Sequence, residues 1–126
     1  MMKFQSQKIK GKGRGKFLGF PTINLEIPKA FQLKDGIYVV TVLIDKKNFK
    51  GALHFGPVPT FNEKQPSLEV FLIDTRDENI PDLKDQIITI NIVKRLREIK
   101  KFNSEKDLVL QIQKDVIKAK KTLNQR

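Results

Sequence analysis

The sequence predicts a mainly β protein: a small antiparallel barrel of five or six strands, closed or plugged by one C-terminal helix. Three observations carry this. Short runs rich in β-branched and aromatic residues recur along residues 3–96, with only turn-forming segments between them. No helical pattern intervenes, so the crossovers that a parallel sheet needs are missing. After residue 103 the apolar period changes from two to between three and four.

Residues 3–10, KFQSQKIK, form the first expected strand, and residues 20–27, FPTINLEI, resume an extended pattern. Pro21 lacks an N–H and belongs at a strand start or sheet edge. GIYVVTVLI at 36–44 is the strongest strand signal, and with FKGALHF at 49–55 it reads as a hairpin. GPVPTFNEKQPS at 56–67 holds three prolines and a glycine, which argues against regular structure. LEVFLI at 68–73 is a strand, residues 74–86 are acidic and polar, and IITINIV at 87–93 is a long strand that can extend to Leu96. Ser104 with Asp107 three positions on forms a capping pattern. Leu108, Ile112, Val116, Ala119 and Leu123 then make one apolar stripe on a helix over about 104–123. One domain is expected across 1–126, with no internal repeat.

Composition narrows the function classes. The chain has 126 residues and no cysteine, which excludes disulfide scaffolds and thiol chemistry. No apolar run nears the roughly 18 residues of a membrane span, and no signal-peptide segment opens the chain, so a soluble cytoplasmic protein is expected. With 25 basic against 14 acidic residues the net charge is +11, which favours anionic partners without choosing among nucleotide, RNA and polyphosphate. A merely solvated lysine excess accounts for the same number.

GKGRGKFLGFPTINL at 11–25 is the stretch richest in candidates. Gly11, Gly13, Gly15 and Gly19 let backbone N–H groups approach an anion, and Arg14 and Lys16 add charge. The stretch lacks the closing GK[ST] of a P-loop and any surrounding βαβ unit, so a mobile turn is the plain alternative. Thr22 and Asn24 lie two apart and share one side of an extended chain, with Ile23 facing the core. Two oxygen donors beside a basic glycine loop suit a magnesium ion that also binds phosphates; the alternative is a hydrogen-bonded turn. Glu69 shares a strand face with Phe71 and Ile73. A carboxylate there is either a tuned base or a rim group paired with a lysine. His54 is the only histidine and cannot build a zinc site. Arg97 lies in the basic cluster KRLREIKKF, which binds an anion or is solvated.

GKGRGKFLGFPTINL closely resembles the signature of riboflavin kinases and of the kinase module of bifunctional riboflavin kinase/FAD synthetases. GIYVV, GALHFGPVPTF, LEVFLID, LREIKKF and LVLQIQKD resemble further family segments in the same order. The resemblance implies a six-stranded antiparallel Greek-key barrel with a C-terminal helix. It implies phosphoryl transfer from ATP to riboflavin, giving ADP and FMN, with Mg2+ required. By family likeness Thr22 and Asn24 would contact magnesium and phosphates, and Gly11, Gly13, Arg14, Gly15, Lys16, Gly19 and Pro21 would belong to the ATP-covering segment. Glu69 would be the general base, and Arg97 would sit in a mobile loop near flavin and phosphate. The helix after Ser104 would form part of the flavin side, with Phe17, Phe61, Phe71 and Phe102 as available rings. The family commonly differs at Leu33, His54 (Asn), Val58 and Ile99, and around Pro81–Lys84. No adenylyltransferase-like segment stands within the 126 residues, so FAD synthesis is not expected. The expected partners are small molecules, with no membrane and a monomeric state; a non-catalytic nucleic-acid-binding or flavin-binding barrel is the alternative.

Overall fold

A computed structural model describes residues 2–11 and 19–125. Six strands form one antiparallel sheet: β1 (Lys3–Ser6), β2 (Thr22–Asn24), β3 (Gly36–Ile44), β4 (Lys47–Gly56), β5 (Ser67–Ile73) and β6 (Ile88–Arg97). Their spatial order is β1-β6-β3-β4-β5-β2. β3, β4 and β5 follow one another as a meander, and β6 returns to lie beside β3, which is the Greek-key arrangement. The sheet curls into a partial barrel. Its two edges meet where the continuations of β1 and β2 form a bridge between Lys8 and Leu25. The Ile9 N–H donates to the Asn24 carbonyl at 2.8 Å and the Glu26 N–H to the Gln7 carbonyl at 2.9 Å. The Ser6 hydroxyl also donates to the Glu26 carbonyl. These contacts satisfy edge groups that would otherwise face a new strand.

Strict alternation sorts the side chains into two cores. Tyr38, Val40, Val42, Leu53, Phe55, Leu68, Val70 and Leu72 point into the barrel with Ile23 and Leu25. Phe31, from the connection after β2, caps this interior edge-on between Phe4 and Phe55, with ring centroids 4.8 and 5.0 Å away. Val39, Ala52, Phe71 and Ile73 face outward and are covered by helix α1 (Glu105–Asn124). All five residues of the expected stripe are buried there. Ser104 caps the helix, its hydroxyl accepting from the Asp107 N–H at 3.1 Å.

Three departures from the sequence-based expectation have physical reasons. β1 and β2 are shorter than 3–10 and 20–27, because past their ends pairing continues only as the Lys8–Leu25 bridge and as isolated hydrogen bonds, from the Leu25 N–H to the Leu68 carbonyl and from the Leu72 N–H to the Pro21 carbonyl. β6 runs on to Arg97 and carries an extra residue, Val93 and Leu96, at each of two register shifts against β3. Such bulges bend a strand and re-aim its side chains; both extra residues pack against the cluster beneath α1. The proline-rich segment contains one 3-10 turn, Pro59–Phe61, where proline at the first position needs no N–H partner.

Candidate active site

Pairing register assembles the site. Asn24 on β2 stands opposite Glu69 on β5. Glu69 stands opposite His54 on β4, His54 opposite Ile37 on β3, and Ile37 opposite Arg97 on β6. Directly paired residues share a sheet face, with Cβ atoms about 4.5–5.5 Å apart. One row therefore crosses five strands on the outward face, in the order Asn24, Glu69, His54, Ile37, Arg97.

The middle and far end of this row floor a cleft between the sheet and α1. Glu69, His54, Ile37 and Arg97 line it with Phe61, Phe71 and Phe102, and α1 contributes Leu108 and Ile112. The enclosed volume is about 40 Å3, well below the roughly 300–1,000 Å3 of clefts that surround drug-sized ligands. Three of the four expected rings are thus present; Phe17 lies outside the described residues.

Glu69 is 5% exposed and sits on an interior strand, so it is not the rim or edge carboxylate that the sequence left open. Leu68, Val70 and Leu72 turn into the barrel and leave Glu69 with Phe71 and Ile73 on the helix-covered face, as alternation requires. His54 is 8% exposed, and its Nε2 lies 2.8 Å from the Gly56 carbonyl oxygen.

Thr22 and Asn24 are half-buried on one side of β2, while Ile23 is buried in the barrel. The Thr22 hydroxyl donates to the Phe20 carbonyl at 3.1 Å, which leaves the lone pairs of its oxygen for a cation. A hydroxyl and a carboxamide oxygen are hard donors of the kind magnesium accepts, alongside water and phosphate, so the residues present fit that ion. Among the described residues no cluster of three or more His, Asp or Glu side chains offers another metal site. Gly11 packs directly on Asn24: a Cβ there would fall 1.8 Å from the carboxamide nitrogen. Gly19 is exposed with φ +73° in the turn that leads to half-buried Pro21. Gly13, Arg14, Gly15 and Lys16 lie outside the described residues.

Arg97 is not in a loop. It is the last residue of β6, held there by Ile37 on the ladder side and by α1 on the other. Its Nε donates to both Asp115 carboxylate oxygens at 3.0 and 3.1 Å, Nη2 to Asp115 Oδ2 at 2.7 Å, and Nη1 to the Glu98 carbonyl at 2.9 Å. Gln111 donates to Asp115 Oδ1 at 3.1 Å, and the guanidinium lies 5.9 Å from the Phe102 ring centroid. Asp115, 2% exposed, was missed by sequence reasoning. The available signal was an acidic residue three positions after Ile112 and one before Val116, on the flank of the apolar stripe. Thr60 ties the 3-10 turn to the same end of the cleft by accepting from the Phe102 N–H at 3.0 Å.

A model of the riboflavin kinase (flavokinase) family matches residues 1–123. The chain belongs to the riboflavin kinase family. It is 37% identical over 111 residues to a bifunctional riboflavin kinase/FMN adenylyltransferase of Bacillus subtilis, over 85% of this chain and 34% of that protein. It is 33% identical over 109 residues to the RNA-binding riboflavin kinase RibR of the same organism, over 86% of this chain and 45% of that one. A riboflavin kinase structure from Trypanosoma brucei shares the fold with a TM-score of 0.62 at 18% identity, covering 97% of this chain and 79% of that chain. The chain thus spans between a third and a half of the two Bacillus relatives it matches. No helix among the described residues is long and apolar enough to cross a membrane.

Proposed function

We propose that this chain transfers the γ-phosphoryl group of ATP to the terminal ribityl hydroxyl of riboflavin, giving FMN and ADP. The observation that carries the proposal is the row itself. It sets a buried carboxylate, Glu69, between an oxygen-donor pair on β2 and an apolar, ring-lined cleft under α1. A substrate with one polar chain and one flat apolar ring matches this polarity.

The chain's residues divide the work. The cleft walls of Phe61, Phe71, Phe102 and α1 take the ring and exclude water from it. At its enclosed volume the ring enters only if α1 or the 98–104 segment yields. Glu69 orients the attacking hydroxyl and accepts its proton as the new O–P bond forms and the bond from the γ-phosphorus to the ADP oxygen breaks. Thr22 and Asn24 would hold magnesium, which supplies charge neutralisation at the phosphate oxygens. Gly11 keeps the Asn24 carboxamide in place by allowing backbone to lie against it. The glycine-rich segment from Gly11 to Gly19 would cover the nucleotide. Arg97, with its donors committed to Asp115 and Glu98, acts as a brace of the flavin end rather than as a free cation for phosphate.

The test is FMN formation from riboflavin and magnesium–ATP, resolved by chromatography, with Glu69→Gln beside the parent. Turnover in the parent and at least a hundredfold loss in the variant are expected, within the range for general-base removal of about 10²–10⁴. A folded parent without turnover on any nucleotide or divalent metal overturns the reading.

A further inference from the structure

His54 has no part in the reaction as described above, yet it stands at the centre of the site. It is flanked in register by Glu69 on one side and Ile37 on the other, and it is almost fully buried. Its hydrogen bond to Gly56 fixes its chemistry. A carbonyl oxygen only accepts, so Nε2 carries a proton in both ionisation states, and Nδ1 is the nitrogen that titrates. A titratable imidazole and a carboxylate thus sit one strand spacing apart in a cleft where little water screens them.

We propose that His54 is a positioning residue for Glu69, its charge state setting how strong a base that carboxylate is. The inference rests on the phosphoryl-transfer reading above. With Nδ1 protonated, the neighbouring cation stabilises the Glu69 carboxylate and weakens it as a base. When Nδ1 loses its proton that restraint is lifted, and transfer accelerates. By reciprocity the carboxylate holds the proton on His54 more tightly than a neutral side chain would. The other charged groups lining the cleft are Arg97 from β6, Lys100 from the 98–104 segment and Glu105 from α1. Arg97 is neutralised by Asp115, and Lys100 and Glu105 are exposed residues of opposite sign. β3 contributes Ile37, and the segment after β4 contributes Val58, Pro59 and Phe61. Glu69 is the charged group paired with His54 in the ladder.

Because the chain has one histidine, a proton NMR titration of its imidazole is unambiguous. The titration is run without substrate on the parent and on Glu69→Gln. The imidazole midpoint is expected to be lower in the variant, which lacks the neighbouring carboxylate charge. The pH profile of kcat is then compared between the parent and His54→Gln, whose amide can still donate to Gly56 but does not ionise. The parent profile should lose activity as pH falls through the NMR midpoint. In His54→Gln the limb at the imidazole midpoint should vanish, leaving only the loss as Glu69 itself takes up a proton, with a smaller change in KM for riboflavin than in kcat. An imidazole midpoint equal in the two proteins, or an acid limb in His54→Gln unmoved from the parent's, overturns the proposal. A parent that forms no FMN ends the kinase reading and His54's role in it, whereas normal turnover without an imidazole shift ends His54's role alone.

Discussion

The Arg97–Asp115 pair offers the sharpest test of how the cleft is held together. Asp115 lies on α1 and Arg97 ends β6, so their three donor–acceptor contacts join the helix to the far edge of the cleft floor. Their side chains are 15% and 3% exposed for arginine and aspartate respectively. Removing one member of a buried pair costs about 3–5 kcal/mol, because the other is left charged and unpaired. Asp115→Ala belongs at the lower end, about 3 kcal/mol, since the Arg97 side chain already reaches water and can turn outward. With a urea slope of about 2 kcal/mol/M, the unfolding midpoint should fall by roughly 1.5 M. Replacing both residues by apolar ones of similar size, Arg97→Met with Asp115→Leu, should recover most of that loss.

Urea titration followed by circular dichroism on the parent, Arg97→Met, Asp115→Leu and the double variant closes the cycle, with Asp115→Ala measured beside them. The loss would then be traced to an uncompensated charge rather than to helix propensity. A loss below about 1 kcal/mol for Asp115→Ala, or single and double losses that add within about 0.5 kcal/mol, would refute the reasoning. The pair would then be a surface contact of little consequence.

Other outcomes follow from the same geometry. Gly11→Ala forces the Asn24 carboxamide aside; turnover should drop while the urea midpoint stays near the parent's, and a fully active variant would separate Gly11 from the site. Asn24→Ala should raise the magnesium concentration needed for half-maximal FMN formation, and an unchanged magnesium titration would remove Asn24 from the metal role. Gly51→Ala puts a Cβ 2.8 Å from Val70 Cγ1 and 3.3 Å from the Phe71 carbonyl. Overpacking there should cost about 1–3 kcal/mol by urea titration; parent-like stability would show that the β4–β5 contact can relax. Ser104→Ala should cost about 1 kcal/mol by losing the helix cap, measured the same way.

Local pattern made much of this fold legible. The β3 signal at GIYVVTVLI and the stripe on α1 each depend on residues close in the chain, and each matches the element found. Alternation alone placed Glu69 with Phe71 and Ile73, and the structure puts that face beneath the helix. Burial of the carboxylate was not legible, because it depends on β5 lying between β4 and β2 rather than at an edge. The bulges at Val93 and Leu96 were also invisible, since an extra residue is defined only against its partner strand. Arg97 was expected in a loop by family likeness, and KRLREIKKF, with five basic residues of nine, reads as a connection between the last strand and the helix. Its partner lies 18 positions away on the next element, where a lone aspartate beside an apolar stripe looks like an ordinary helix flank.

The two faces of the sheet explain why the site residues stand where they do. The inward face is filled by apolar side chains from every long strand, so it can tolerate no unpaired carboxylate. The outward face is covered by α1 only along part of its area. Glu69 stands on the outward face between Asn24 on β2 and His54 on β4. Moving the carboxylate one residue along β5, to Leu68 or Val70, would turn it into the barrel. A swap of Glu69 and Val70 would therefore leave composition unchanged and still abolish both the fold's core and the proposed chemistry.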